Sequence, residues 1–177
     1  MNSVSLDFVA DLTVLDTEEA VFAGGCFWGV EYLFLQLPGV LKAQVGYSGG
    51  HTKNPTYKEI CSGSTGHYEV VRVLFDPKKI SFEDVAKYFF EIHDFTQGDG
   101  QGPDRGQQYL SVAFYYNDAQ HAVLLKLLDV LKQMGYRVAT QLLPVAPFWP
   151  AEAYHQDYYH KMGKEPYCHR YEKKFGK

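Results

Sequence analysis

Apolar positions divide the chain into short strands and amphipathic helices. The clearest pattern runs over Tyr68–Phe75, where Glu69, Val71, Val73 and Phe75 alternate with Tyr68, Val70, Arg72 and Leu74. Period-two alternation predicts a strand with two distinct faces. Arg72 marks the even-numbered face as the wetter one, so Glu69 is the first residue of the drier face. Four more runs read as strands: residues 20–23, 40–47, 110–116 and 136–143. Helical spacing links Val30, Leu33, Phe34 and Leu37, and Pro38-Gly39 closes that segment. Ser81 opens a second helix as its N-cap, with Asp84 as box partner and Val85, Tyr88, Phe89 and Ile92 as its apolar face. Asn117 caps a third, carrying Val123, Leu124, Leu127, Leu128, Leu131 and Met134, and Gly135 ends it.

Between these elements residues 51–66 and 96–108 read as long loops, and Pro144, Pro147 and Pro150 argue against regular structure around them. Residues 151–177 read as a polar, Tyr- and His-rich mobile tail. Residues 1–19 carry five acidic side chains and no Lys or Arg, an acidic arm that does not resemble a secretory signal. No repeat or linker splits the chain, so one catalytic-sized domain over 1–177 is expected. The element order predicts an α+β fold, a two-layer sandwich of helices on a mixed sheet. Two helices bracketing paired strands suggest a ferredoxin-like core followed by an irregular C-terminal tail.

Composition narrows the classes. A chain of 177 residues with 46% hydrophobic content can bury one core. A net charge of −4 and no basic patch speak against a nucleic-acid partner. No stretch is long and apolar enough to span a membrane. Three cysteines, an odd number, fit a reducing cytoplasm better than a disulfide scaffold. The glycine-rich stretch 96–108 lacks the Lys-Ser/Thr ending of a phosphate-binding loop. Nothing demands more than a monomer.

The candidate chemistry centres on Cys26. The run from Ala20 to Ala23 ends in Gly24-Gly25, and the first helix follows, so Cys26 falls near a helix N-terminus. Unpaired N–H groups and the helix dipole favour an anion there, which predicts a lowered thiol pKa and a reactive thiolate. The opposing reading is a buried, inert cysteine. Phe27 lies on the core stripe of that helix, whereas Trp28 lies off it and could wall an apolar pocket. Glu69, if it truly faces the drier side, has its neutral form favoured; if it sits at a frayed strand end, it reaches water.

The segment Gly25-Cys26-Phe27-Trp28-Gly29 resembles the signature of the peptide methionine sulfoxide reductase A family. Gly46-Tyr47-Ser48-Gly49-Gly50, Pro55-Thr56-Tyr57, Cys61 to His67, Gly102-Pro103-Asp104 and Tyr154-His155-Gln156 resemble further family segments, in the family's order. The resemblance covers roughly residues 20–168 and implies an α+β fold and reduction of the S epimer of methionine sulfoxide, free or protein-bound. It implies Cys26 as nucleophile, with Glu69, Tyr57 and Tyr109 polarising the S–O oxygen. It also implies that Asp104 takes part in binding and water placement, and Phe27 with Trp28 would form the apolar slot for the substrate methyl group. Such a reduction needs an acid at oxygen and a thiolate at sulfur, and the oxygen stays on Cys26 as a sulfenic acid. Cys61 and Cys168 are then the candidate resolving thiols. Cys168, in the tail, resembles the family's first tail cysteine and is preferred, giving a Cys26–Cys168 disulfide. The reductant implied is thioredoxin, with no bound cofactor or metal.

The chain departs from the family pattern at Tyr68, Phe95 and Gly98-Asp99-Gly100, beside the expected pocket, which bears on peptide preference. Three competing readings remain. One is a metal site of His155, His160, Cys168 and His169. Another is a cysteine hydrolase pairing Cys26 with His67 or His93. The last is a non-catalytic aromatic peptide-binding pocket.

Overall fold

The computed structural model describes residues 16–176. The acidic arm read over 1–19 lies mostly outside the described residues, and its last two residues already belong to the sheet. In chain order the elements are β1 (Glu18–Gly24), α1 (Phe27–Gln36), β2 (Val40–Ser48), α2 (Tyr57–Cys61), β3 (Tyr68–Phe75) and α3 (Phe82–Glu91). A hairpin of β4 (Gly100–Gln101) and β5 (Asp104–Arg105) follows, then β6 (Ser111–Tyr115), α4 (Asp118–Gln133), β7 (Gln141–Pro144), β8 (Phe148–Pro150) and α5 (Tyr158–Met162).

The sheet runs β7-β6-β1-β3-β2-β8. Every neighbouring pair is antiparallel except β6 with β7, so the sheet is mixed and the fold is α+β. Phe22 sits mid-sheet, opposite Val71 on one side and Ala113 on the other. Its ring stacks on Phe89 of α3 at 4.6 Å and on Phe34 of α1 at 5.4 Å. Truncating such a ring costs on the order of 3–5 kcal/mol. Leu124, Leu127 and Leu131 of α4 complete the helical layer. Ser81 Oγ accepts the Asp84 N–H at 3.1 Å and Asn117 Oδ1 accepts that of Gln120 at 2.9 Å, so both N-caps fall where the side-chain pattern puts them.

Several local expectations change. The even-numbered face of β3 is not wet: Arg72 is 2% exposed. Its guanidinium lies 4.4 Å from the Phe148 ring centroid and donates to Gln44. Phe148 comes from the proline segment, which does form a strand. Pro144 and Pro150 are tolerated because β7 and β8 are the edge strands of the sheet. The strand expected over 136–143 is reduced to β7. The loop 51–66 contains α2, and 96–108 contains the β4–β5 hairpin and a 3-10 turn at Gln107–Tyr109. The C-terminal stretch holds a 3-10 turn at Ala153–His155 and α5. Among the described residues no helix is long and apolar enough to cross a membrane.

Candidate active site

Cys26 is the residue at which β1 gives way to α1. Gly25 turns the chain at φ +94°, and Cys26 occupies the N-cap of α1 without making a side-chain cap bond. Its sulfur is half-buried and lies near the N-terminal end of β3, where Glu69 stands. Backbone N–H groups of Trp28 and Gly29 do favour the thiolate, as the helix terminus predicts. Burial and then the Glu69 charge outweigh them and push the thiol up to about 12. This corrects the expected lowered pKa. A helix terminus supplies about 0.3–1 kcal/mol, under one pKa unit, whereas desolvation shifts a buried group by several.

Glu69 is 1% exposed, so the strand-end reading in which it reaches water does not hold. Its Oε1 accepts the backbone N–H of Phe27 at 3.3 Å and its Oε2 accepts from the Gln108 amide at 2.8 Å. Burial raises the carboxyl, the two hydrogen bonds oppose it, and the group settles at about 7. Near neutral pH it is therefore a usable acid, held beside the residue that follows the nucleophile.

Two phenols border this pair. Tyr57 opens α2, with its N–H donated to Glu152 Oε2 at 2.9 Å and its ring 4.5 Å from that of His155. Tyr109 ends the 3-10 turn after β5. Burial and then the Glu69 charge raise both pKa values, so both remain protonated donors. Asp104, half-buried on β5, has its own pKa raised by burial, and its charge is felt at Cys26, Glu69 and Tyr109.

The two aromatic residues differ in position. Phe27 is 1% exposed and packs within the core, with ring centroids 5.7 Å from Tyr47 and 5.2 Å from His155. Trp28 is half-buried, stacked on Tyr158 at 3.8 Å, with its Nε1–H donated to His155 Nδ1 at 2.9 Å. The Tyr158 and His155 rings and that hydrogen bond thus fix the indole on the first turn of α1.

All three cysteines are free thiols. Cys61, exposed, lies 3.7 Å from the Gln108 amide, and it contributes to raising the Tyr57 pKa. Cys168 is half-buried beside the β4–β5 turn, 3.8 Å from where a Cβ on Gly102 would stand. Its charge and that of Cys26 are both felt at Tyr159 and Tyr167.

Sequence reasoning missed Gln108 and Glu152, and it considered His169 only as a metal ligand, whereas the ring packs against the turn at Cys26. Gln108 adjoins the predicted Tyr109, and Glu152 lies two residues before Tyr154-His155-Gln156, but neither shows a pattern of its own. The hydrolase reading fails on hydrogen bonds. His93 is engaged by the Phe89 carbonyl at 2.6 Å and Ser111 Oγ at 2.7 Å. His67 is engaged by the Gly50 N–H and the Thr52 carbonyl. Neither ring has a nitrogen to spare for Cys26. Among the described residues no group of three or more His, Cys, Asp or Glu is placed to hold a metal ion, which removes the site imagined from His155, His160, Cys168 and His169.

Comparison with known proteins gives one family. The profile of "Peptide methionine sulfoxide reductase" matches residues 18–176. Peptide methionine sulfoxide reductase MsrA of Methanosarcina mazei is 49% identical over 149 residues, 82% of this chain and 71% of that protein. The crystal structure of Mxr1 from Saccharomyces cerevisiae in reduced form superposes with a TM-score of 0.82 at 32% identity, covering 89% of this chain and 94% of that one. Mxr1 in complex with Trx2 superposes with a TM-score of 0.59 at 22% identity, over 89% and 93%. A match from the first strand to the last described residue, joined to near-half identity with a named reductase, shows that the chain belongs to the peptide methionine sulfoxide reductase family.

Proposed function

We propose that this chain reduces the S epimer of methionine sulfoxide, free or within proteins, with Cys26 as nucleophile and Glu69 as acid. The observation that carries the assignment is the hydrogen bond from Phe27 N–H to a carboxyl 1% exposed, which ties the acid to the nucleophile's own turn. The Cys26 sulfur bonds to the sulfoxide sulfur while the S–O oxygen takes the Glu69 proton. Tyr57 and Tyr109 donate hydrogen bonds to that oxygen as negative charge builds on it. Asp104 helps to bind the substrate, and Trp28, above buried Phe27, walls the slot for the methyl group. The protonated oxygen then passes from the substrate sulfur to the Cys26 sulfur as the S–S bond and the substrate S–O bond break, so the thioether leaves and Cys26 is left as a sulfenic acid.

Cys168 then attacks the Cys26 sulfur. The S–O bond breaks, water departs with the thiol proton, and a Cys26–Cys168 disulfide forms. A thioredoxin dithiol reduces that disulfide by exchange. Mxr1 has been captured with Trx2, and its reduced form shares this chain's architecture. The site so described calls for no bound cofactor, works as a monomer, and suits a reducing cytoplasm.

Mass spectrometry after one equivalent of methionine S-sulfoxide tests the scheme. The expected product is a peptide pair linked through Cys26 and Cys168. Recovery of unmodified Cys26, or a Cys26–Cys61 link, overturns it.

A further inference from the structure

We propose that His169 is a fixed pivot on which Cys168 swings to Cys26, which makes it a positioning residue for disulfide closure. The inference rests on Cys168 being the resolving thiol. His169 is 4% exposed and its Nε2–H is donated to the Gly24 carbonyl at 2.6 Å. The ring fills the space left by the absent side chain of Gly29, where a Cβ would stand 2.3 Å from its Nδ1. It also borders Gly25, where a Cβ would stand 3.3 Å from its Nε2, behind the nearer Gln101 side chain at 2.5 Å. Gly24, Gly25 and Gly29 are the turn and first helical residues around Cys26, so the imidazole sits directly behind the nucleophile.

The chain on either side is pinned as well. Past His169, the Glu172 N–H is donated to the Glu91 carbonyl at 2.7 Å and the Lys174 N–H to Glu91 Oε2 at 2.8 Å, and Phe175 is buried. Before it, the Asp157 N–H is donated to Glu31 Oε1 at 2.7 Å and Tyr158 stacks on Trp28. Between these anchors residues 163–167 are largely exposed, with Gly163 at φ +64° and Tyr167 75% exposed. Cys168 itself borders a cavity of about 370 Å³ shared with Asp94, Phe95 and Gln101.

The close-packed imidazole thus adjoins a loosely packed thiol. Holding one end of a short span leaves little conformational freedom to lose when the sulfur atoms meet. The step it serves is Cys26–SOH with Cys168–SH giving the disulfide and water.

Rapid-quench single turnover with one equivalent of methionine sulfoxide, without reductant, tests the pivot. Methionine release and thiol loss are followed separately, and dimedone traps the sulfenic acid. In His169→Ala, methionine release is expected within about twofold of the parent, disulfide closure slower on the order of 10-fold to 100-fold, and sulfenic acid to accumulate. His169→Gln, whose amide can reach the Gly24 carbonyl, should restore most of the closure rate. Unchanged closure in His169→Ala, or equal slowing of both steps, overturns the pivot. Should His169→Ala fail to fold, His169→Gln and His169→Asn carry the same test, with fast closure for the longer amide and slow for the shorter; equal rates overturn it. Cys168→Ser, run alongside, separates the two levels, because continued cycling with thioredoxin in that variant removes Cys168 itself.

Discussion

The Phe27 N–H meets the Glu69 carboxylate at 3.3 Å, so the acid is tethered to the peptide bond that follows Cys26. The two groups titrate as a pair. With Glu69 at about 7 and Cys26 at about 12, the pair holds a single proton between those limits, on sulfur at rest. The reactive form, thiolate beside carboxylic acid, holds the same single proton. Its share of the enzyme therefore rises as pH approaches 7 from below and then stays level. The kcat/KM for sulfoxide reduction should climb to a plateau near pH 7 and stay flat to at least pH 9. In Glu69→Gln the acid is lost, so the rate at pH 7 should drop by roughly 100-fold or more and keep rising with pH as the thiol ionises. A parent rate that falls above pH 7 would mean that a neutral thiol attacks.

Gln108 sets where that plateau begins. Its amide stabilises the Glu69 anion at 2.8 Å, and after burial it is the largest influence on the carboxyl. In Gln108→Ala the carboxyl holds its proton to higher pH, and the plateau onset should move alkaline by up to about one unit. An unmoved onset would show that solvent replaces the amide.

Glu31 makes a stability prediction. It is buried on α1, accepts the Asp157 N–H, and is pushed by burial up to about 8. The unfolded chain ionises this group near its ordinary value of 4.5, while the folded protein keeps it protonated. The folded state thus holds more protons between pH 4.5 and 8, and stability falls across that window as pH rises. Glu31→Gln keeps the acceptor and cannot ionise. Its melting temperature should match the parent's near pH 5 and exceed it at pH 8, by an amount corresponding to a few kcal/mol. Melting curves that differ equally at both pH values would assign the effect to packing.

What could be read along the chain follows from how local each cause is. Alternation in Tyr68–Phe75 correctly placed Glu69 towards the core, because a strand's faces are set by its own residues. The same alternation misjudged Arg72, since the ring covering it belongs to Phe148, a proline segment far along the chain. The helix start at Cys26 was legible from Gly24-Gly25 and the apolar spacing behind it. The thiol's raised pKa was not, because it depends on burial and on Glu69 and Asp104, which β3 and β5 bring in. At five residues α2 is too short for helical periodicity to register. His169 shows no local pattern at all; its partner carbonyl is 145 positions earlier.

The two spare cysteines separate cleanly by experiment. Cys61 is exposed and lies beside Gln108, whereas Cys168 is half-buried directly after the exposed span 163–167. Cys61→Ser should cycle with thioredoxin at a rate within about twofold of the parent, while Cys168→Ser should release one equivalent of methionine and stop. A Cys61→Ser enzyme that stalls after one turnover would move the resolving role to α2.

Gly29 offers a test of how the tail is seated, independent of turnover. It lies within α1, where alanine is ordinarily better than glycine by about 1 kcal/mol. The three heavy atoms nearest to a Cβ at this position all belong to His169, the closest at 2.3 Å. Gly29→Ala in the parent should therefore lower stability, by about 1–3 kcal/mol, because it overpacks the imidazole. The same substitution made in His169→Ala meets no ring and should raise stability instead. Urea unfolding of the four proteins measures both signs. If Gly29→Ala shifts the midpoint in the same direction in both backgrounds, the imidazole does not occupy the space behind Cys26 in solution, and the tail is held by its other anchors alone.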